Sequence, residues 1–438
     1  MKKSPQCQEL WAKATERVEF LNTQKIGLPI CKLKQAGFAR QFFVSKHKYE
    51  LLAPAGSFPS LIAAVNADAD AVYFGLQEGM NMRAGAKNFS LSDLPEIKKI
   101  CDAKRVKKYL TLNTIIYDNE LGKVENIIKK AKKYIDAVIC WDLGVIQLCK
   151  KYKVPFHIST QASIANIESA KFYKKLGAER VILARELSIK QIKEIAKIMD
   201  VEVFIHGAMC VSVSGRCFTS QFLFGKSANR GECLQPCRRA YIVRDEDGNE
   251  LKLENNTVMS AKDLCTLPFI EELKRAGVRA FKIEGRNREP EYVSALTKVY
   301  RKALDKKLNE KAIKEGVEEL KKVYTKGFSS GFYLGKPNIG DFSKEQHSSA
   351  TQRKEFIGII YHYYPEPSVA AIKIQSGVIK VGDELIIVGD KTGMIAHKIE
   401  RIEINHQPFG WADKGQEVGI KIPNVRKGDK VYLIIKKK

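Results

Sequence analysis

The 438-residue sequence predicts a (β/α)8 barrel followed by a small all-β barrel. Two observations predict the first domain: eight short apolar runs alternate with amphipathic helical segments, and most of these runs end in polar residues. A third observation predicts the second domain, because short alternating runs separated by Gly-Asp turns begin at Phe356. We expect an extension at 1–47, the barrel at 48–340, a linker at 341–355 and the β-barrel at 356–438.

Composition restricts the class of protein before any motif is considered. The formal net charge of +25 is expected to attract polyanions such as nucleic acid, although dispersed lysines are equally typical of a Lys-rich proteome. No apolar run reaches 18 residues, so we expect no transmembrane helix. The basic start is followed by charges instead of an apolar segment, which predicts no secretory signal and a cytoplasmic location.

The first element along the chain is the extension at 1–47. Its stretch 9–21 is compatible with a helix, and the residues after it are less regular. No function is assigned to this extension.

The barrel is predicted from its strands and helices in order. The eight β-rich runs lie at 49–56, 70–76, 109–116, 136–142, 156–163, 179–186, 201–207 and 280–286. Amphipathic helical segments separate them, for example at 92–108, 125–134, 168–177 and 188–199. A closing helix is expected at 289–307. Regular alternation of this kind is typical of βα units around a closed parallel sheet.

Polar residues recur where the predicted strands end. They are Asn113, Asp142, Ser159 with Gln161, Arg185 with Glu186, His206, and Glu284 with Arg286. Any one of them is explained as a polar strand cap. Because the carboxyl ends of barrel strands share one face, their recurrence on successive strands predicts one functional mouth.

Several of these residues suggest particular chemistry. Arg286 and Arg288 are suited to bind a carboxylate or phosphate in bidentate fashion while Glu284 orients the substrate; an internal Glu–Arg ion pair is the alternative. His206 suits an acid/base role or the wall of a cofactor pocket, and a simple hydrogen-bonded histidine is its alternative.

Four cysteines between the seventh and eighth strands carry the most specific chemical signal. Cys210, Cys217, Cys233 and Cys237 are spaced C-x6-C-x15-C-x3-C. Thiolates are soft ligands, which favours an iron–sulfur cluster. Zinc is the second interpretation, although structural zinc sites usually show two short cysteine knuckles. Unliganded core or disulfide cysteines are the third.

Motifs of other enzyme classes are absent from the sequence. There is no HExxH helix, no GxSxG turn and no GxGxxG fingerprint, so a zinc protease, a serine hydrolase of that type and a Rossmann dinucleotide enzyme are not supported. The segment 356–438 favours contact with RNA, because small β-barrels of this kind occur in RNA-binding proteins; protein docking is the alternative.

Three long motifs resemble peptidase family U32. They are YELLAPAGSFPSLIAAVNADADAVYFGL from Tyr49, EVFIHGAMCVSVSGRC with GECLQPCR around the cysteines, and FKIEGRNREPEYV from Phe281. The resemblance covers roughly 48–340, and the added β-domain is similar to the branch that hydroxylates tRNA. The bacterial members of this family include RNA hydroxylation proteins and proteins first described as collagenases.

The resemblance implies a function and a set of site residues. It implies an enzyme that converts the wobble uridine of tRNA to 5-hydroxyuridine, with a 4Fe–4S cluster held by the four cysteines and prephenate as a candidate hydroxyl donor. One branch uses a later cysteine, so Cys265 is a second candidate for the fourth ligand. Catalytic roles are expected for His206, Glu284, Arg286 and Gln161, and substrate binding for Asn113, Arg185, Arg286 and Arg288.

Two other functions stay open at this point. The historical name of the family implies a collagenase-like endopeptidase. A non-catalytic RNA-binding or accessory protein is the second alternative.

Overall fold

The structure is a computed structural model, and it describes residues 47–239, 241–252, 259–345 and 348–437. The extension expected at 1–47, with its helix-compatible stretch at 9–21, therefore lies outside the described residues except for His47.

Eight parallel strands form a closed barrel. In chain order the strands up to its closure are β1 (Glu50–Pro54), β2 (Ala71–Phe74), β3 (Lys107–Thr111), β4 (Ala137–Cys140), β5 (Phe156–Ile158), β6 (Arg180–Ile182), β7 (Asp200–Gly207), β8 (Ile242–Arg244), β9 (Glu250–Lys252), β10 (Asp263–Cys265) and β11 (Ala280–Ile283). Strands β1 to β7 pair in sequence, and β11 pairs with both β7 and β1. The predicted (β/α)8 barrel is confirmed, with β11 as its eighth strand.

The segment between β7 and β11 adds strands outside the ring. Strands β8 and β9 form a two-stranded hairpin of their own. Strand β10 runs antiparallel to the end of β7, and β12 (Phe328–Ser329) pairs with β10. These short strands extend the sheet beside the cysteine segment.

Helices cover the outside of the barrel. They are α1 (Phe58–Asn66), α2 (Leu94–Asp102), α3 (Asp118–Ala131), α4 (Leu143–Lys151), α5 (Ile167–Leu176), α6 (Ile189–Ala196), α7 (Thr219–Phe224), α8 (Ile270–Arg275), α9 (Pro290–Asp305) and α10 (Glu310–Lys321). The local sequence determines where several of these helices begin. Asp142, for example, caps α4 by accepting hydrogen bonds from the backbone N–H groups of Gly144 and Val145. In the part of the chain that is described, none of these helices has the length and apolar character that a membrane crossing demands.

Charged side chains run through the inside of the barrel. Glu50 pairs with Lys107 and Arg180, Arg180 also reaches Glu202, and Glu202 Oε1 accepts a hydrogen bond of 2.8 Å from Lys282 Nζ. Barrel interiors are usually packed with branched apolar residues. We call this series of opposite charges the ion ladder; it ends beneath the mouth at Lys282.

The C-terminal region is all antiparallel. Its strands are β13 (Gln352–Tyr364), β14 (Val369–Ile374), β15 (Val378–Lys380), β16 (Glu384–Gly389), β17 (Gly393–Lys398), β18 (Ile402–Ile404), β19 (Gln407–Phe409), β20 (Trp411–Asp413), β21 (Glu417–Lys421) and β22 (Lys430–Lys436). Eight of them form one sheet, while β15 and β20 form a pair. The apolar faces enclose a separate core that includes Ile360, Ile372 and Leu385. The predicted all-β second region is confirmed.

This sheet packs directly on the barrel. Gly393, at the start of β17, has a φ of +77°, and a Cβ at this position would lie 2.4 Å from Ile62 Cγ2 on α1. Lys354 of β13 forms an ion pair of 2.9 Å with Glu291 of α9. The close approach of β17 to α1 therefore needs glycine at this position.

Candidate functional site

A cavity of about 100 Å³ lies at the carboxyl ends of the barrel strands, and we call it the mouth. The predicted residues that line it are Asn113, Ser159, Gln161, Arg185, Glu284 and Arg286. They follow four different strands, β3, β5, β6 and β11, as expected for a barrel whose chemistry sits on this face. The structure thus brings together most of the polar strand ends.

Glu284 is fixed by an arginine that the strand-end pattern did not identify. Arg83, from the loop after β2, donates to Glu284 Oε1 from Nη2 at 2.7 Å and from Nε at 3.0 Å. Burial raises the pKa of Glu284, but the charges of Arg83, Arg185 and Arg286 outweigh it and lower the pKa to about 2. Glu284 is therefore a carboxylate at neutral pH, and its sequence neighbour Arg286 is not its hydrogen-bond partner.

Arg286 is held deep in the wall of the mouth. Its Nη1 donates to Asn81 Oδ1 at 2.9 Å and to Thr111 Oγ1 at 3.0 Å. A Cβ at position 75 would lie 2.5 Å from this Nη1, so Gly75 leaves the space that the guanidinium fills. Burial lowers the pKa of Arg286 to about 10, and the group still carries its charge at neutral pH.

A cluster of amide and hydroxyl groups forms another wall. Asn113 Nδ2 donates to Ser159 Oγ at 3.0 Å and to Gln161 Oε1 at 3.3 Å, and the Ser159 hydroxyl also bonds Gln161. The backbone N–H of Met82 donates to Asn113 Oδ1. These bonds hold neutral donors and acceptors in fixed positions, which suits recognition of a planar polar group.

Arg185 separates the mouth from a second cavity, of about 300 Å³, and lines both. Its guanidinium carbon lies 4.0 Å from the centre of the Phe204 ring, and Nη1 donates to the carbonyl of Ala208 at 2.9 Å. Its Nε is buried without a hydrogen-bond partner. A buried cationic donor without a partner is costly, so Arg185 keeps one unsatisfied donor beside these cavities.

Lys282, at the end of the ion ladder, also lines the mouth. Its Nζ lies 4.2 Å from the centre of the Tyr73 ring. Burial lowers the pKa of Lys282, although the neighbouring Glu202 opposes this. Lys282 stands within the strand run and not at its end, which is why the strand-end pattern missed it.

Other predicted residues lie away from the mouth. His206 is buried beneath it, with Nδ1 3.1 Å from the hydroxyl of Tyr300, and burial lowers its pKa to about 3. Arg288 lies over the Tyr324 ring at 3.4 Å. Asp142 caps α4, and Glu186 is exposed. Neither His206 nor Arg288 lines the mouth among the residues described, and their expected roles stay predictions.

The second cavity borders the cysteines. Cys210, Cys233 and Cys237 line it, and Cys210 also lines the mouth. The pKa of Cys237 is raised to about 11, mainly by burial, which Arg238 opposes and the charges of Cys210, Cys233 and Cys217 reinforce. All four thiols are free.

The four thiols match an iron–sulfur cluster as a donor set. They are soft ligands; burial raises the pKa of Cys217, but hydrogen bonds from Thr219 and Ser212 outweigh it and lower the pKa, which favours a thiolate. The backbone N–H of Gln235 points to Cys233 Sγ at 3.4 Å. Across the described part of the chain, however, no three His, Cys, Asp or Glu side chains are close enough to hold one metal ion. A single ion such as zinc would need these side chains closer together, whereas each thiolate of a 4Fe–4S cluster binds a different iron.

Cys265 stands apart from the four. It is buried on β10 opposite His206 of β7, and its sulfur lies 3.7 Å from the Tyr300 hydroxyl. Burial raises the pKa of Cys265 to about 11. It lines neither cavity.

Fold and site together define a (β/α)8-barrel protein in which a cysteine segment between the last two barrel strands covers an arginine-rich mouth. The model of peptidase family U32 matches residues 56–342. The chain belongs to peptidase family U32.

Relatives named for different functions align with most of this chain. A collagenase of Porphyromonas gingivalis is 42% identical over 410 residues, covering 89% of this chain and 98% of that protein. A tRNA hydroxylation protein of Bacillus subtilis is 32% identical over 385 residues, covering 85% of this chain and 89% of that protein. The 23S rRNA 5-hydroxycytidine synthase of Escherichia coli is 39% identical over 271 residues, covering 61% of this chain and 41% of that enzyme.

Proposed function

We propose that this protein is an RNA hydroxylase that converts the wobble uridine of tRNA to 5-hydroxyuridine. The observation that carries the proposal is the mouth itself, where fixed amide groups and three arginines meet the border of a cavity lined by Cys210, Cys233 and Cys237. The names of the Bacillus subtilis and Escherichia coli relatives support RNA hydroxylation as the reaction class.

The amide cluster is the proposed base-binding wall. An enzyme that modifies a base takes it out of the stack and reads its edge by hydrogen bonds. Asn113 and Gln161 offer donors and acceptors for a pyrimidine edge, and Ser159 holds both of them in place. Recognition by neutral amides suits uracil, which is itself an uncharged cyclic imide.

The arginine side of the mouth is the proposed site for the oxygen donor. Replacing C5–H by C5–OH removes two electrons from the base, so the donor must accept two electrons as it gives up its oxygen. We propose a hydroxylated dicarboxylate such as prephenate for this role. Arg185 lines the mouth and has a buried Nε without a protein partner, while Glu284 is already neutralised by Arg83.

Cys210, Cys217, Cys233 and Cys237 are the proposed ligands of a 4Fe–4S cluster. When bound, such a cluster supplies one-electron transfer beside the mouth. Arg185 borders both cavities and thus stands between the proposed ligands and the base-binding wall.

A collagenase-like peptidase is the second candidate, because a relative of that name is 42% identical. A hydrolase needs an activated nucleophile. Among the described residues of the mouth, the Ser159 hydroxyl bonds amide groups, and no histidine lines the cavity. The chemistry of the mouth therefore favours hydroxylation over peptide hydrolysis.

Nucleoside analysis tests the proposed function. Bulk tRNA from a deletion strain, digested and analysed by mass spectrometry, should lose 5-hydroxyuridine and the nucleosides derived from it. The wild-type gene should restore them, and a Gln161→Ala gene should not. Unchanged hydroxyuridine in the deletion strain, or gelatin cleavage by pure protein that persists in Cys210→Ser, would overturn the proposal in favour of another reaction.

A further inference from the structure

Two phenylalanines project from the cysteine segment into solvent. Phe218 and Phe222 are 58% and 83% exposed, and their rings stack with centroids 6.0 Å apart and planes inclined by 28°. Leu223 and Leu234 are exposed beside them. Exposed apolar clusters of this kind are typical of binding surfaces. This surface lies outside the mouth, so the proposed chemistry does not explain it.

The fold holds this surface rigidly. The inner face of α7 is anchored by Ser220, which is fully buried and accepts a hydrogen bond of 2.9 Å from the backbone N–H of Leu234. The backbone N–H of Cys217 donates to Asn229 Oδ1 at 2.8 Å. Gly225 ends the helix with a φ of +65°. Phe222 therefore stands on a supported helix, and Phe218 directly precedes that helix.

The same segment adjoins the mouth. A Cβ at position 215 would lie 2.9 Å from Gln161 Cγ, so the cysteine segment passes directly over the base-binding wall. Arg230 fastens the segment to the rim by an ion pair with Glu120 and by lying 4.8 Å over the Tyr117 ring. A polymer whose target unit enters the mouth must therefore pass this segment.

The positive charge of the cysteine segment indicates which kind of polymer would pass it. Between 210 and 239 the sequence has five Arg or Lys residues and one Glu, a formal charge of 5 − 1 = +4. Arg216, Lys226 and Arg239 are exposed, and Arg239 lies 4.7 Å over the ring of Phe224. Aromatic rings for bases combined with cations for phosphates are typical of surfaces that bind single-stranded nucleic acid.

We propose that Phe218 and Phe222, with the surrounding cations, form a stacking platform for the single-stranded nucleotides that flank the target base. This inference rests on the proposed function and adds a second RNA contact to it. The rings accept any base by stacking, whereas the mouth selects the base to be modified.

The test measures binding of a fluorescein-labelled single-stranded 12-mer RNA by the full-length protein, with the same RNA in a duplex as comparison. Phe222→Ala should weaken binding of the single strand about 5- to 100-fold and leave duplex binding unchanged, because one stacked base is lost. Phe222→Tyr should bind like wild type, and Phe222→Leu like the alanine variant. Phe172→Ala, an exposed ring on α5, is the matched control and should change nothing.

Three results would overturn the platform: unchanged binding by Phe222→Ala, recovery of binding by Phe222→Leu, or an equal loss for the duplex. Recovery by leucine would show an apolar contact instead of stacking. A dimer that dissociates in Phe222→Ala during sedimentation would also overturn it, by assigning the rings to a second copy of this chain. Binding is measured without turnover, so the platform and the hydroxylation activity can fail independently.

Discussion

At the scale of single residues, the arginines of the mouth have different tasks. Arg83 neutralises Glu284, and Arg286 is bound to Asn81 and Thr111 in the wall. Arg185 has a buried Nε without a protein partner. We therefore expect an anionic ligand to gain the most binding free energy at Arg185. At Arg83 and Arg286 it would compete with existing hydrogen bonds, whereas Arg185 has a donor that is not yet bonded.

Replacing Arg185 tests this assignment. We expect Arg185→Gln to raise the KM for a dicarboxylate donor at least tenfold, since a charge-assisted bidentate contact is worth about 1.5–3 kcal/mol. Steady-state kinetics of tRNA hydroxylation would measure it. Arg279→Gln, at the opposite end of the barrel, is the control. An equal KM in both variants would remove Arg185 from the donor site.

His206 predicts a pH dependence of stability. Burial lowers its pKa to about 3, below the value near 6.5 of an unfolded histidine. The unfolded chain binds this proton first, so the contribution of neutral His206 is complete above pH 6.5 and is lost as pH falls toward 3. We expect a loss of about 3 kcal/mol between pH 7 and pH 4. Urea unfolding at several pH values would measure it, and His206→Gln should lose correspondingly less.

The comparison that decides this prediction is His362→Gln, which changes an exposed histidine. It should keep the wild-type pH dependence. If His206→Gln also kept the wild-type pH dependence of stability, the protons taken up on unfolding would bind to groups other than His206.

The strand-end rule found most of the mouth but not all of it. It identified Asn113, Gln161 and Arg185, because each lies in the C-terminal half of a predicted strand run. It missed Arg83, which a longer loop returns to the mouth from several residues beyond β2. A loop's return path depends on tertiary packing, and no local pattern in this sequence encodes it.

At the scale of elements, the cysteine segment carries the next prediction. Cys210→Ser and Cys233→Ser should reduce iron from about four per chain to less than about one, with loss of absorbance near 400 nm. Iron and sulfide assays on protein purified without oxygen would measure this. Cys149→Ser, a buried cysteine of α4, should keep the full iron content.

Cys265→Ser distinguishes the two ligand assignments. If this variant keeps its iron and Cys237→Ser loses it, the result supports the four cysteines proposed as cluster ligands. The reverse result would transfer the fourth position to Cys265, and a protein without iron in its wild-type form would reject the cluster altogether.

Elements with strong periodicity were predictable, and short irregular ones were not. The eight barrel strands are apolar runs between amphipathic helices, so pattern alone located them. The three-residue strands β8, β9 and β10 have no such pattern: β8 and β9 pair with each other, and β10 forms because the segment folds back beside β7. Tertiary contacts determine these strands, which is why they were missed.

At the scale of the whole molecule, the ion ladder links opposite ends of the barrel through Arg180 and Glu202. We expect Glu202→Gln to lower the free energy of unfolding by about 3–5 kcal/mol, because it leaves Lys282 and Arg180 buried with less compensation. Chemical denaturation would measure it. The double variant Glu202→Gln/Lys282→Met should recover part of the loss; additive losses would mean that the pair is not coupled.

Closure of the ring also determines when the ladder can form during synthesis. Glu50 of β1 lies opposite Ala280 of β11, about 230 residues later in the chain. At about 5–20 residues per second, a ribosome needs roughly 10 to 50 seconds to make that stretch. During this interval the first strand has no final neighbour on one edge. An acidic side chain that stays hydrated until the barrel closes opposes pairing of this edge with another chain, so we expect the buried charges also to protect the growing chain from aggregation.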